Sequence, residues 1–152
     1  MSGTVVLDST PLGLITQARG KSPEVDACRQ WYADLNANGW TVYLPEIIDY
    51  ELRRELTRTR RTGSLGRLDL LATTTIYLPL TTEAMRLAAD LWAKARQGGW
   101  GTADPHALDG DVILAAQALT IAPVPAGLVV ATGNVAHLAR YLPAQEWGTI
   151  TF

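Results

Sequence analysis

The chain predicts a three-layer α/β/α sandwich with a short parallel sheet at its centre. Short β-rich apolar runs alternate with stretches of helical periodicity, and strands separated by helices pair in parallel through crossovers. Hydrophobic residues make up 47% of the chain and charged residues 18%, enough apolar surface for a buried core and too little charge for a disordered one. At 152 residues the chain, 1–152, reads as a single domain, with no internal repeat, linker or low-complexity stretch.

The first strand is read at 4–7 (TVVL), a β-rich apolar run that ends at Asp8. Pro11 suits the first turn of a helix over 12 to about 19, with Ser9 or Thr10 as its cap. Ser22, Pro23 and Glu24 open a second helix that runs to Asn38 and stops at Gly39. Residues 40–44 alternate and form the second strand. Pro45 then starts a helix with Ile47, Ile48, Leu52 and Leu56 on one side, closed by Gly63. Another helix covers 65–74, and 76–80 is the third strand. Thr81 or Thr82 caps a helix to Gln97, with Met85, Ala88, Ala89 and Trp92 at helical spacing. Gly98, Gly99, Gly101 and Pro105 make 97–108 a loop. Asp109 or Asp111 opens the helix 112–121, residues 128–131 (LVVA) are the fourth strand, 134–141 a short helix and 149–152 a terminal strand.

Several function classes are excluded early. The single cysteine, Cys28, allows no internal disulfide and no cysteine-rich zinc site, and it reads as a small buried apolar residue. Two histidines, His106 and His137, leave little room for a multi-histidine centre or a haem. A net charge of −2 argues against holding nucleic acid by bulk positive charge. No targeting segment stands out, because residues 1–15 lack a basic region and are interrupted by Asp8. The stretch 112–139 contains no Asp, Glu, Lys or Arg, yet Pro123 and Pro125 split it and Gln117, Asn134 and His137 interrupt it. It reads as a buried helix, a proline turn and a buried strand rather than the roughly 20 apolar residues of a membrane span. The expected location is cytoplasmic.

In an open parallel sheet, ligands gather at the carboxyl ends of the strands. Asp8 ends the first strand, and Thr132, Gly133 and Asn134 follow the fourth. Asp109 and Asp111 precede the fourth strand at the same edge, and the helix after the second strand carries Glu46, Asp49, Glu51 and Glu55. Two like charges ~4 Å apart repel by about 1 kcal/mol in water and about 4 kcal/mol at an effective dielectric near 20. A cluster of such acids needs protons or cations, and oxygen-only donors suit Mg²⁺ or Mn²⁺. These ions polarise phosphoryl oxygens and activate water without any histidine or cysteine nucleophile.

These segments resemble the PIN-domain nucleases, and specifically their small toxin members of the VapC type. VVLDSTPLGLI is similar to the family's opening strand and acid, and PEIIDYELRREL to the helix bearing its glutamate, here Glu51. LDGDVILAAQAL resembles the segment in which an Asp, here Asp111, precedes an Ile-x-Ala-Ala helix. LVVATGNVAHLARY resembles the last strand with its Thr-x-Asp or Thr-x-Asn turn, at Thr132 and Asn134. The four segments keep the family's order from Val5 to Tyr141. The resemblance implies a metal-dependent ribonuclease that hydrolyses phosphodiester bonds in single-stranded RNA, with Mg²⁺ or Mn²⁺ as cofactor. It further implies a toxin with an antitoxin partner and a homodimer. Asp8, Glu51 and Asp111 are then the catalytic, metal-holding acids, and Asn134 and Asp109 further ligands or holders of water. Two departures stand out. Where some members have a fourth acid this chain has Asn134, and where others have it three residues later it has His137. Ser9-Thr10 follows the first acid where many members have Thr and then Asn or Ser.

Arg53, Arg54, Arg58, Arg60, Arg61 and Arg67 crowd one stretch that holds no lysine. Forked guanidinium contacts suit phosphate, so Arg54, Arg58 and Arg61 are read as RNA contacts, with Thr10 and Thr132 beside the acids. The bland alternative is a solvated helix face on which Glu51 and Glu55 pair with arginines, and the patch equally suits an acidic tail of an inhibitor partner. Asp49, on another face from Glu51, reads as solvated. One of Asp109 and Asp111 is expected to cap its helix and the other to ligate, since capping and metal binding compete for the same oxygens. His137 reads as a packed or surface histidine, Trp31, Trp92 and Trp147 as core or dimer contacts, and Trp100 as a loop anchor rather than a base-stacking platform.

Rival enzymes fit less well. Asp8-Ser9-Thr10-Pro11 offers no glycine-rich cradle for a dinucleotide, and a haloacid-dehalogenase-type phosphatase wants a second Asp where Thr10 stands. A non-catalytic module of the same fold, binding RNA or a protein partner, is the remaining alternative. The missing fourth carboxylate favours it, and Asp8, Glu51 and Asp111 speak against it.

Overall fold

β1 (Thr4–Leu7) is buried along its whole length, and so is its neighbour β4 (Leu128–Thr132). Both read as continuous apolar runs because a central parallel strand is covered on both faces. The computed structural model describes residues 2–99 and 105–152, and only the backbone for 105–108. With β2 (Thr41–Pro45), β3 (Ile76–Leu78) and β5 (Ala144–Glu146), the strands form an all-parallel sheet in the order β3-β2-β1-β4-β5. Val5 stands opposite Val42 on one side and Val129 on the other, which aligns the apolar rows of three strands.

Helices α1 (Ser9–Ile15), α2 (Pro23–Ala37), α3 (Glu46–Arg58) and α4 (Thr62–Thr74) carry the chain outward from β1 to β3. α5 (Thr82–Gln97) and α6 (Pro105–Leu119) bring it back past β1 to β4, and α7 (Val135–Leu138) leads to β5. Parallel crossovers are right-handed, so reversing the winding direction places helices on both faces and yields the predicted three layers. Leu7, Leu12, Leu35, Leu44, Leu114 and Leu138 are among the fully buried residues of the core. α5 and α6 meet through small residues (Ala84, Ala88, Ala95, Val112 and Ala116), which let the two backbones approach closely. Gly39, with φ +73°, ends α2 in the left-handed conformation that a side chain would disfavour.

One polar side chain fixes the helices that carry the acids. Gln117 is 2% exposed; its amide oxygen accepts from Ile47 N at 3.2 Å and its amide nitrogen donates to the Leu78 carbonyl at 2.7 Å. α6 is thereby tied to the start of α3 and to the end of β3.

Several boundaries differ from the prediction, each for a local reason. α1 begins at Ser9 because Asp8, not Ser9 or Thr10, takes the cap. α3 ends at Arg58, and Gly63 lies inside α4; the turn between them is made at Arg60, with φ +56°. α6 begins at Pro105, a residue suited to a first helical turn, so Asp109 and Asp111 lie within the helix and neither caps it. β3 ends at Leu78, and the helix expected over 134–141 shortens to Val135–Leu138. The predicted terminal strand is instead a 3₁₀ turn, Trp147–Thr149, and the edge strand lies earlier at Ala144–Glu146, where exposed polar residues hide any β pattern. Trp31 is buried and packs on Trp147 with ring centroids 5.7 Å apart, whereas Trp92 is partly exposed; Trp100 lies outside the described residues. No described helix is long and apolar enough to cross a membrane.

Candidate active site

The neighbours of β1, β2 and β4, are reached by winding in opposite directions, so a crevice opens at the carboxyl ends of β1 and β4. Asp8 follows β1 directly and is 9% exposed. Its Oδ1 accepts from Ser9 N at 2.7 Å, and its Oδ2 accepts from Thr132 Oγ1 at 2.7 Å. The Thr132 hydroxyl in turn accepts from Asn134 N at 2.8 Å. The two strand ends are therefore clamped together through one carboxylate and one hydroxyl. The turn after β4 closes down on Thr10, because a Cβ at Gly133 would stand 2.7 Å from Thr10 Oγ1.

Glu51 from α3 and Asp111 from α6 face the same crevice. Burial raises the Glu51 carboxyl above the ordinary range, Arg54 opposes the shift, and the charges of Asp8 and Asp111 add to it. Burial raises Asp111 as well, and the charge of Asp8 adds to that shift, while His137 and Arg140 oppose it. Three acids distant in sequence thus sense one another. Glu51 Oε1 packs directly on Gly110: a Cβ there would stand 2.6 Å from it and push the carboxylate aside. On the far side, Asp111 Oδ2 lies 3.4 Å from His137 Nδ1, and Asn134 Nδ2 lies 3.0 Å from that same nitrogen.

The remaining predicted residues divide around this centre. Asp109 is exposed and lines a cleft of about 480 Å³ with Tyr50, Glu51, Arg54 and Ile113, while Asp111 faces Asp8. Arg54 lies over the Tyr50 ring, 5.2 Å from its centroid, at the rim of that cleft. Arg58 is paired with Glu55 and sits beyond the cleft, and Arg61 is exposed at the start of α4. Arg67 donates to the Thr16 carbonyl at 2.5 Å and belongs to the packing of α4 against α1.

Asp49 is not solvated. It is 5% exposed and accepts from Arg53 Nε at 2.8 Å and from the Tyr77 hydroxyl at 2.7 Å, while Arg53 also reaches Asp69 at 2.6 Å. Burial, with the bond to Asp49, raises the Tyr77 hydroxyl. Tyr77 on β3 supplies the partner that makes burial of this acid possible. Tyr77 and Gln117 were not singled out by sequence. Gln117 had a signal, as the lone amide in an otherwise apolar stretch of helix.

Burial and mutual charge leave these oxygens short of positive charge, which is the donor set of a hard divalent ion. Among the described residues no three Asp, Glu, His or Cys side chains are gathered as a complete ligand set. That is compatible with Mg²⁺, which is commonly held by one or two carboxylates with water completing its shell. The residues present fit such an ion.

No protein-family model and no curated protein matches the sequence. Solved structures do. A chain of the VapBC2 complex from Rickettsia felis, bound to a promoter DNA fragment, superposes with a TM-score of 0.68 at 15% identity, covering 93% of this chain and 97% of that one. A chain of VapBC-1 from nontypeable Haemophilus influenzae gives 0.67 at 16% identity, with 95% and 98% covered. A chain of FitAcB from Neisseria gonorrhoeae gives 0.64 at 19% identity, with 96% and 99% covered. The sheet and its helices have the PIN fold of the VapC-type chains, as the sequence resemblance implied.

Proposed function

We propose that this chain is a divalent-metal-dependent endoribonuclease acting on single-stranded RNA, and the toxin of a toxin–antitoxin pair. One observation carries the reading: Asp8, at the end of β1, is clamped to Thr132 across the switch point of the sheet, and Glu51 of α3 packs on Gly110, next to Asp111 in α6. The shared fold with chains of VapBC and FitAB complexes supports it.

Asp8, Glu51 and Asp111 would hold the ion, directly or through the waters of its shell, with Asn134 and Asp109 at the margins of the set. When bound, Mg²⁺ or Mn²⁺ supplies Lewis-acid polarisation of the phosphoryl group and a water made acidic enough to attack. The chain's own residues do the rest. Ser9 N and Thr132 Oγ1 fix the two oxygens of Asp8, leaving their outward lone pairs free to bind. Arg54 stands at the cleft beside Glu51, where it meets a phosphate without displacing the acids. Thr10, over Gly133, lines the opposite rim.

The same proposal includes a homodimer and an antitoxin, and a cytoplasmic location where RNA is at hand. An exposed apolar face supports self-association: Leu80, Met85 and Trp92 border a cleft of about 280 Å³ with Val112 and Ile113.

The direct test is cleavage of a labelled single-stranded RNA by purified protein. Activity is expected with Mn²⁺ or Mg²⁺, abolished by EDTA and lost in Asp8→Asn. Cleavage that persists in folded Asp8→Asn refutes the site. RNA binding without cleavage by wild type under either metal supports instead the non-catalytic module, which the amide at Asn134 favours.

A further inference from the structure

The contact between α6 and α7 brings a nitrogen donor to the edge of the acid cluster. His137 Nδ1 lies 3.4 Å from Asp111 Oδ2 and 3.0 Å from the amide nitrogen of Asn134. Where that amide donates to Nδ1, the nitrogen presents a lone pair; where Nδ1 carries the proton instead, it donates to Asp111 Oδ2. A half-turn of the Asn134 amide puts Oδ1 in the same place. His137 Nδ1 then has two oxygens beside it, one from Asp111 at 3.4 Å and one from Asn134 at 3.0 Å. Adjacent ligands of an octahedral ion with bonds near 2.1 Å are about 3.0 Å apart, close to the spacings seen here. Asn134 is exposed and the His137 side chain is 36% exposed, so an ion has access from solvent.

We propose that His137 Nδ1, Asp111 and the Asn134 amide oxygen form a mixed nitrogen–oxygen subsite that makes the chain prefer Mn²⁺ to Mg²⁺. The inference rests on the metal-dependent reading above. An imidazole adds affinity for borderline first-row ions, whereas Mg²⁺ favours carboxylate, carbonyl and water oxygens. An acid at this corner would serve Mg²⁺ equally well; an imidazole does not.

The test reads binding rather than turnover. Mn²⁺ and Mg²⁺ are titrated calorimetrically into the full chain, with thermal melting in EDTA as the control for folding. In wild type, Mn²⁺ binds more tightly than Mg²⁺. His137→Ala is expected to weaken Mn²⁺ about 10–100-fold, the scale of a lost contact at a metal site, and to leave Mg²⁺ within about twofold. His137→Asp restores an oxygen donor and is expected to raise Mg²⁺ affinity, narrowing the preference. In ¹⁵N-histidine-labelled wild type, substoichiometric Mn²⁺ broadens the imidazole signals assigned to His137 by their absence in His137→Ala. Unchanged Mn²⁺ binding in His137→Ala, or an equal loss for both metals, overturns the subsite while leaving the nuclease reading standing. Failure of wild type to bind either ion overturns both.

Discussion

Asp8 is held by a backbone N–H on one side and a buried hydroxyl on the other, and each contact has its own consequence. Thr132→Val keeps the shape of the side chain and removes the donor to Asp8 Oδ2. It is predicted to cost about 1–2 kcal/mol of stability and to lower RNA cleavage without unfolding the chain, as read by urea titration beside a cleavage assay. A second prediction follows from the raised acids. A carboxyl raised in the fold holds its proton more tightly there than in the unfolded chain. Its contribution to stability is therefore complete below the ordinary carboxylate range and lost as pH rises through the raised value. In EDTA, Asp111→Asn and Glu51→Gln are expected to melt a few degrees above wild type at pH 7–8. The gain should shrink as pH falls and vanish only below the ordinary carboxylate range, toward about pH 3, where the wild-type acids are protonated in both states. Melting curves across pH check this, and a variant less stable than wild type at neutral pH contradicts it. Elsewhere, burial pushes the Cys28 thiol up to about 12, so it is predicted to resist alkylation by iodoacetamide at pH 8 until the protein is unfolded.

At the scale of elements, the acids depend on how α3, α4 and β3 are joined. Asp49 binds Arg53 within α3 and Tyr77 on β3, and Arg53 extends the link to Asp69 on α4. Asp49→Ala takes the acceptor from the half-buried Tyr77 hydroxyl and one of the two acids from Arg53, and is predicted to destabilise by about 1–2 kcal/mol. Because Asp49 lies on another side of α3 from Glu51, metal affinity of the folded variant should stay near that of wild type. The elements legible in sequence were those whose signal is local. TVVL and LVVA read as central strands because burial on both faces leaves them apolar apart from Thr4 at the start of β1. Ser22 with Pro23 fixed the start of α2, and Gly39 its end. Helical spacing alone places Asp49 in solvent, because its Tyr77 partner comes from β3, 28 residues on, and spacing does not report a contact with another element. β5 was missed because an edge strand, exposed at Gln145 and Glu146, carries no apolar row.

For the molecule as a whole, the basic stretch does not act as one patch. Arg53, Arg58 and Arg67 have acidic or carbonyl partners, while Arg54 stands at the cleft next to Glu51. Arg54→Ala is predicted to weaken RNA binding and to reduce the salt dependence of the binding constant by roughly one phosphate contact. Arg58→Ala should change little. Filter binding from about 50 to 200 mM salt measures both. Glu51 and Asp111 could be proposed from sequence only through their family resemblance, since nothing local distinguishes them from neighbours such as Glu55 or Asp109. What unites them is the topology, which no single segment contains.

That topology has a consequence for biosynthesis. The bond from Thr132 to Asp8 joins positions 124 residues apart, and β1 lies between β2 and β4 in the sheet. While the ribosome is still making α6, Asp8 has no hydroxyl to hold it and one flank of β1 is uncovered. In a nascent chain the central strand therefore stays open on that flank until residues 128–132 have emerged to pair with it.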